Sequence, residues 1–180
     1  MQCQEGEIMA KVLNYGMVGG GPDAFIGDAH RRAISLDESA RLVAGVFSRN
    51  AEKSKKMGEV LHIEEERCYK DYETMALEEA KREDGIDFVV VVTPNASHYE
   101  ICKAFLNAGI HVVCDKPVTT TYEKAVELQK LAEEKSLLFM VTYTYMGHVT
   151  AKYARDLIAS GAIGDVRAVM AEYPQGWLAF

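Results

Sequence analysis

The sequence predicts an α/β fold built on a doubly wound parallel sheet, and three features carry that prediction. Short apolar, β-branched runs alternate with helical stretches along the chain, the pattern of parallel strands joined by helical crossovers. The run Asp87-Phe-Val-Val-Val-Val-Thr93 has no polar alternation, as expected of a central strand covered on both faces. The third feature is Gly19-Gly20-Gly21, which falls between the first strand and the first helix. Right-handed crossovers then leave few arrangements other than helices on both faces of one sheet.

Val12 to Val18 reads as the first strand; it breaks at Gly19-Gly20-Gly21-Pro22, and a helix is expected from about Ala24 to Ile34. Arg41 to Phe47 is the second strand. The charged stretch from Asn50 to Val60 is a surface helix. Asn50 is its N-cap, because an Asn side chain accepts from backbone N–H groups that a helix start leaves free. A weak strand is placed near Cys68-Tyr69, before a helix from Tyr72 to Arg82. After the Asp87 run, Asn95 is expected to cap a helix to Asn107, Gly109 ends it, and His111-Val-Val-Cys114 forms a short buried strand. Thr120 and Glu123 have capping-box spacing and open a helix to Lys135. Leu137 to Tyr143 is a further strand, Val149 to Ala159 a helix closed by Gly161 and Gly164, and Val166 to Tyr173 a last strand.

Composition excludes some functions. Lys and Arg number 20 against 27 Asp and Glu, a net charge of -7, so there is no basic field for nucleic acid or an anionic membrane. The opening MQCQEGEIMAKV lacks the apolar run of a signal peptide, and no span-length apolar stretch occurs. A cytoplasmic protein is expected. Cys3, Cys68, Cys102 and Cys114 are scattered without zinc-like spacing, so they read as reduced thiols and no metal site is expected.

The glycine turn carries the first chemistry. In "GMVGGGPDAFIG" the pair Gly19 and Gly21 is followed by Gly27, a longer interval than the dinucleotide fingerprint has. One glycine permits the tight turn and another lets a pyrophosphate approach the backbone, while the helix opening at Phe25 and Ile26 offers its free N–H groups to phosphate. A glycine-rich turn without a ligand is the plainer reading; the strand-to-helix setting favours a dinucleotide. The polar half of "HVVCDKPVTT" sits at a strand's carboxyl end, the edge where open parallel sheets bind ligands. Lys116 is therefore a candidate for chemistry.

The early glycine turn, "VVVVTPNASHYEICKAFLNAGIHVVCDKP" and "LIASGAIGDV" together resemble the Gfo/Idh/MocA family of nicotinamide-dependent oxidoreductases. The resemblance implies a Rossmann-type domain over residues 1–164 and, in 165–180, the first strand and linker of a C-terminal α/β substrate domain. The end on Trp177, Leu178 and Phe180 is expected to continue into that domain. Asp115-Lys116-Pro117 matches the family's Glu-Lys-Pro signature, with aspartate where glutamate is usual, and implies that Lys116 orients the substrate and helps move its proton. The same match places Asp115 and Pro117 beside the cofactor, Pro117 through a cis peptide bond in many members. Thr93, Pro94, Asn95 and His98 match the loop that passes the cofactor's ribose and pyrophosphate. For His98 an ordinary structural role is an equal alternative. His30 is expected to pack or solvate on the first helix, and His148 lies just past a strand end.

The implied activity is hydride transfer between NADP or NAD and a sugar, polyol or related hydroxy compound, in a protein that is a homo-oligomer at full length. A dinucleotide-sensing module that does no chemistry is the second reading, and a methyltransferase a third. After the second strand, where an NAD-specific domain usually has an acid, the chain reads Phe47-Ser48-Arg49-Asn50. Ser48 and Arg49 favour NADP, because a hydroxyl and a guanidinium can both donate to a 2′-phosphate.

Overall fold

The computed structural model describes residues 11–176; Cys3 and the terminal Trp177, Leu178 and Phe180 lie outside the described residues. The chain falls into two compact units, Met1–Thr142 and Tyr143–Phe180.

The first unit is a five-stranded sheet with every pairing parallel. Its elements are β1 (Leu13–Gly19), α1 (Phe25–Ile34), β2 (Ala40–Val46), α2 (Ala51–Val60), α3 (Tyr72–Glu79), β3 (Phe88–Val92), α4 (His98–Asn107), β4 (His111–Cys114), α5 (Tyr122–Glu134) and β5 (Phe139–Val141). Strand order across the sheet is β2-β1-β3-β4-β5. The weak strand expected at Cys68 is a single parallel bridge to Gly45, on the outer side of β2. After β2 the chain crosses back to the far side of β1, so β1 and β3 neighbour each other at the reversal of winding. The crevice beyond their carboxyl ends is where such sheets bind ligands.

Alternation along the strands sorts side chains onto two faces. Tyr15, Met17, Val90 and Val92 pack with Phe47 and Ile63 beneath Ile26 and Ile34 of α1 and Met57 of α2. Val89, Val91 and Val112 face Met75 of α3, Phe105 and Leu106 of α4 and Leu128 of α5. Val89, Val90 and Val91 have no exposed surface. Burial of each contributes about 1.5–3 kcal/mol, which is why the uninterrupted valine run occupies the middle of the sheet.

Helix ends follow their caps. Asn50 accepts from Lys53 N at 3.0 Å, as its side chain suggested, and Asp71 caps α3 by accepting from Thr74 N at 2.7 Å. The expected caps at Asn95 and Thr120 are corrected. Asn95 opens a short 3-10 turn to Ser97 and α4 starts at His98, while Thr121 caps α5. Neighbouring Thr, Ser and Asn residues are chemically equivalent caps, so local backbone geometry chooses among them. Helix α3 ends at Glu79, three residues before the expected Arg82, and β5 keeps only Phe139–Val141.

In the second unit, α6 spans Val149–Ala159, as expected. The strand expected over Val166–Tyr173 is not formed. Val169 and Met170 are 83% and 96% exposed, and a β-branched run forms a strand only where a neighbouring edge takes up its hydrogen bonds. Tyr145 and Tyr173 meet edge to face with their hydroxyls hydrogen-bonded. Among the described residues no helix is long and apolar enough to cross a membrane.

Candidate dinucleotide site

The turn after β1 has a backbone that only glycine adopts without strain. Gly19 and Gly20 sit at φ +95° and +70°. A Cβ on Gly19 would fall 2.6 Å from the Val92 carbonyl oxygen, and one on Gly21 would fall 2.6 Å from that of Phe47. The turn therefore lies against the ends of both neighbouring strands. Gly27 packs its backbone on Gly20, where an added Cβ would come within 2.3 Å of the Gly20 Cα. It thus supplies the close helix-to-turn packing that the fingerprint's last glycine provides, despite the longer interval.

Sequence reasoning missed Arg31, which locks this turn. From the second turn of α1 its Nη1 donates to the Gly20 carbonyl at 3.0 Å and lies 3.4 Å from the Met17 sulfur. The usable signal is its place one helical turn after Gly27. Among the described residues no side chain caps α1, so the N–H groups at its start, with Phe25 and Ile26, are available to an anion.

A cleft of about 730 Å³ opens over the turn, within the range of about 300–1,000 Å³ typical of cofactor and ligand pockets. The residues from Gly19 to Ala24 form one wall, Phe47, Ser48 and Arg49 a second, Thr93, Pro94, Ala96 and Ser97 a third, and Lys70 to Glu73 close the rim. Gly19, Gly21, Ser48, Arg49, Thr93 and Pro94 are thus brought together. Phe25, Ile26, Asn95, His98, Asp115, Lys116 and Pro117 do not line it. The Phe25 ring is exposed and Ile26 packs under the sheet, so what these two residues can offer an anion is backbone. Arg49 is exposed, and no ion pair engages it among the described residues. Lys53 beside it pairs with Asp23 at 3.0 Å. The Ser48 hydroxyl oxygen accepts from Asn50 N at 3.1 Å, which leaves its own hydrogen free to donate. Glycines that no Cβ could replace, an uncapped helix start and an unpaired guanidinium suit a dinucleotide.

The Lys116 turn is one strand over. Asp115 N donates to the Val91 carbonyl at 2.9 Å, which fixes the β4 end beside that of β3, and Lys116 is exposed there ahead of a cis bond to Pro117. Asp115 Oδ1 accepts from the Thr142 hydroxyl at 3.0 Å and lies 3.9 Å from His30 Nε2, so neither Thr142 nor His30 is a bystander. His98 has no exposed surface. Its Nε2 lies 2.8 Å from the Thr93 carbonyl oxygen and its Nδ1 2.9 Å from that of Pro117. His148 stands in the second unit, with its ring 5.7 Å from that of Tyr145.

A glycine turn at the switch point of a parallel sheet, under a cleft walled by three strand ends, defines a dinucleotide-binding domain of the Rossmann type. The model of the oxidoreductase family with an NAD-binding Rossmann fold, Gfo/Idh/MocA, matches residues 13–143, and the chain belongs to that family. The uncharacterized oxidoreductase YfiI of Bacillus subtilis is 44% identical over 173 residues, 96% of this chain and 44% of its own length. The scyllo-inositol 2-dehydrogenase (NADP(+)) IolW of the same organism is 34% identical over 97 residues, covering 54% of this chain and 27% of IolW. An inositol dehydrogenase homologue from Azotobacter vinelandii, solved with NAD+, superposes with a TM-score of 0.85 at 42% identity, over 88% of this chain and 41% of that one. The chain therefore spans less than half the length of these relatives.

Proposed function

We propose that the chain is the cofactor-binding half of an NAD(P)-dependent dehydrogenase that acts on a sugar- or polyol-like alcohol. The observation that carries this reading is the placement of Lys116 at the end of β4, beside the β3 end whose Thr93 and Pro94 wall the cleft. When bound, the nicotinamide supplies the hydride acceptor. The chain's own residues hold the dinucleotide through the Gly19–Gly21 turn and the start of α1, while Ser48 and Arg49 face the ribose that distinguishes NADP from NAD. Lys116 orients the substrate hydroxyl and, as the neutral amine, takes up its proton in the oxidation direction to become the ammonium, which returns it in reduction. Inositol-related relatives that use either cofactor support the substrate class. In this reading residues 165–180 lead into the substrate-binding part, Gly19, Gly21, Ser48, Arg49, Thr93 and Pro94 contact the bound dinucleotide while the buried His98 acts from behind them, and the full-length enzyme is a cytoplasmic homo-oligomer.

Calorimetric titration of the 180-residue chain with each dinucleotide tests the binding half. In the complete enzyme, Lys116→Met is expected to lower kcat by a factor on the order of 10² or more with little change in cofactor affinity. A near-normal kcat would return Lys116 to a solvated surface residue and favour a dinucleotide-sensing module.

A further inference from the structure

His98 is boxed between two acceptors. The Thr93 and Pro117 carbonyl oxygens stand 2.8 and 2.9 Å from its two ring nitrogens, and a carbonyl has no hydrogen to give. A neutral imidazole has one N–H, so one nitrogen would present a lone pair to an oxygen lone pair. The ring has no exposed surface, so water cannot relieve that contact, and an unmet buried acceptor pair is costly.

We propose that His98 is a buried imidazolium that donates one hydrogen bond to each carbonyl and so acts as the positioning residue that sets Lys116 against the dinucleotide cleft. This rests on the reading of Lys116 given above. The ring joins two loops that are distant in sequence: Thr93 walls the cleft, and Pro117 directly follows Lys116. With both hydrogen bonds made, the width of one imidazole fixes the spacing between them.

Two thiols lie against the ring, and the Cys114 thiol also lies 3.3 Å from the Asp115 carbonyl, to which it donates. The titratable groups recorded against the ring are Cys114 on β4 and, behind it, Cys102 on α4 itself, both fully buried. The Cys102 thiol, and then the His98 ring, hold the Cys114 thiol below its usual range, against the opposing pull of burial and of the Asp115 charge. Cys102 is pushed up in turn. For His98, burial works against the charge, but Cys114 and the two carbonyls outweigh it and raise the ring to about 9. A folded-state value above the unfolded 6.5 means that the clip is complete below about 6.5 and is lost as pH rises through about 9.

Nitrogen-15 spectra of the histidine rings in the 180-residue chain test the protonation state directly. Both His98 nitrogens are expected to be protonated at pH 7, with the amide signals of Thr93–Asn95 and Lys116–Val118 moving together through the ring's midpoint. A bare nitrogen at pH 7 would overturn the proposal. Because the ring also holds Thr93 of the cleft wall, the affinity for NADPH is expected to fall by about tenfold as pH passes the same midpoint, the scale of one lost charged hydrogen bond. In His98→Asn it should be weakened at pH 7 and flat with pH, a response that loss of packing alone would not produce. A wild-type affinity unchanged through the midpoint would also overturn the proposal. Should His98→Asn fail to fold, the wild-type titration decides alone. If no dinucleotide binds at any pH, the proposed function falls, while the ring and amide spectra still decide the clip.

Discussion

The Thr142 hydroxyl, just past the end of β5, donates to Asp115 Oδ1 at 3.0 Å, and so ties the Lys116 turn to the next strand of the sheet. His30 of α1 closes on the same oxygen from above, with 11% of its side chain exposed. Burial holds the His30 ring below its usual range, and the Asp115 charge pulls part of the way back. Removal of that charge in Asp115→Asn should lower the His30 midpoint further, as followed by proton NMR. Because the folded value lies below the unfolded 6.5, the His30 contribution to stability is present above pH 6.5 and declines as pH falls. The Tm difference between wild type and His30→Gln should therefore shrink between pH 7 and 5. A difference independent of pH would contradict this account.

Gly27→Ala tests the helix-to-turn contact. In an ordinary helix interior the change stabilises by about 1 kcal/mol. Here the new Cβ would stand 2.3 Å from the Gly20 Cα and 3.2 Å from Arg31 Nη1, and overpacking of this kind costs about 1–3 kcal/mol. The backbone contact cannot yield as a flexible side chain would, so the clash is expected to win. The urea midpoint should fall, and dinucleotide affinity should fall with it as Gly20 and Gly21 shift. A midpoint at or above wild type would show that the turn relaxes freely.

The buried carboxylate of Glu79 is a structural site distinct from the cleft. It accepts from Arg67 Nε at 3.0 Å, the Tyr69 hydroxyl at 2.8 Å and Ile86 N at 3.2 Å, with none of its side chain exposed. Glu79→Ala should cost about 3 kcal/mol, the lower end of what breaking a buried pair costs, because Arg67 would be left buried with only the more distant and exposed Asp84 at 3.4 Å. Arg67→Met combined with Glu79→Leu should cost less than Glu79→Ala alone, since neither charge then remains. Urea denaturation of the three proteins checks both statements; a double variant as unstable as the single would show that the pair is favourable in its own right.

What the sequence discloses is local. The valine run at β3, the glycines after β1 and the cap at Asn50 each record their own surroundings, so those elements and the cleft walls at Ser48 and Thr93 were legible. The contacts around Lys116 were not. Thr142 reaches Asp115, and His98 spans Thr93 and Pro117, only because crossovers bring β3, β4 and β5 side by side. Such convergence leaves no spacing pattern along the chain. The apolar run at Val166–Tyr173 shows the opposite error, since its β propensity reads as a strand where no partner edge takes it up.

Cofactor choice is expected to turn on Arg49. An NAD-specific domain places a carboxylate after the second strand to accept both ribose hydroxyls, and here Ser48 and Arg49 occupy that wall of the cleft. Ser48 keeps its hydroxyl hydrogen free because its oxygen accepts from Asn50 N at 3.1 Å. Arg49 has no carboxylate partner among the described residues, whereas Lys53 is held by Asp23 at 3.0 Å. A 2′-phosphate would therefore meet an unpaired guanidinium and a hydroxyl donor, and hydrogen bonds to charged groups contribute about 1.5–3 kcal/mol each. Arg49 is exposed, and solvent screening reduces its contribution toward the lower end. NADP is expected to bind more tightly than NAD, and Arg49→Ala to weaken NADP by about tenfold with little change for NAD. Calorimetry with both cofactors on both proteins decides the matter. Tighter NAD binding by the wild type, or equal loss for the two cofactors in the variant, would show that Arg49 points into solvent and that Ser48 serves the NAD ribose instead.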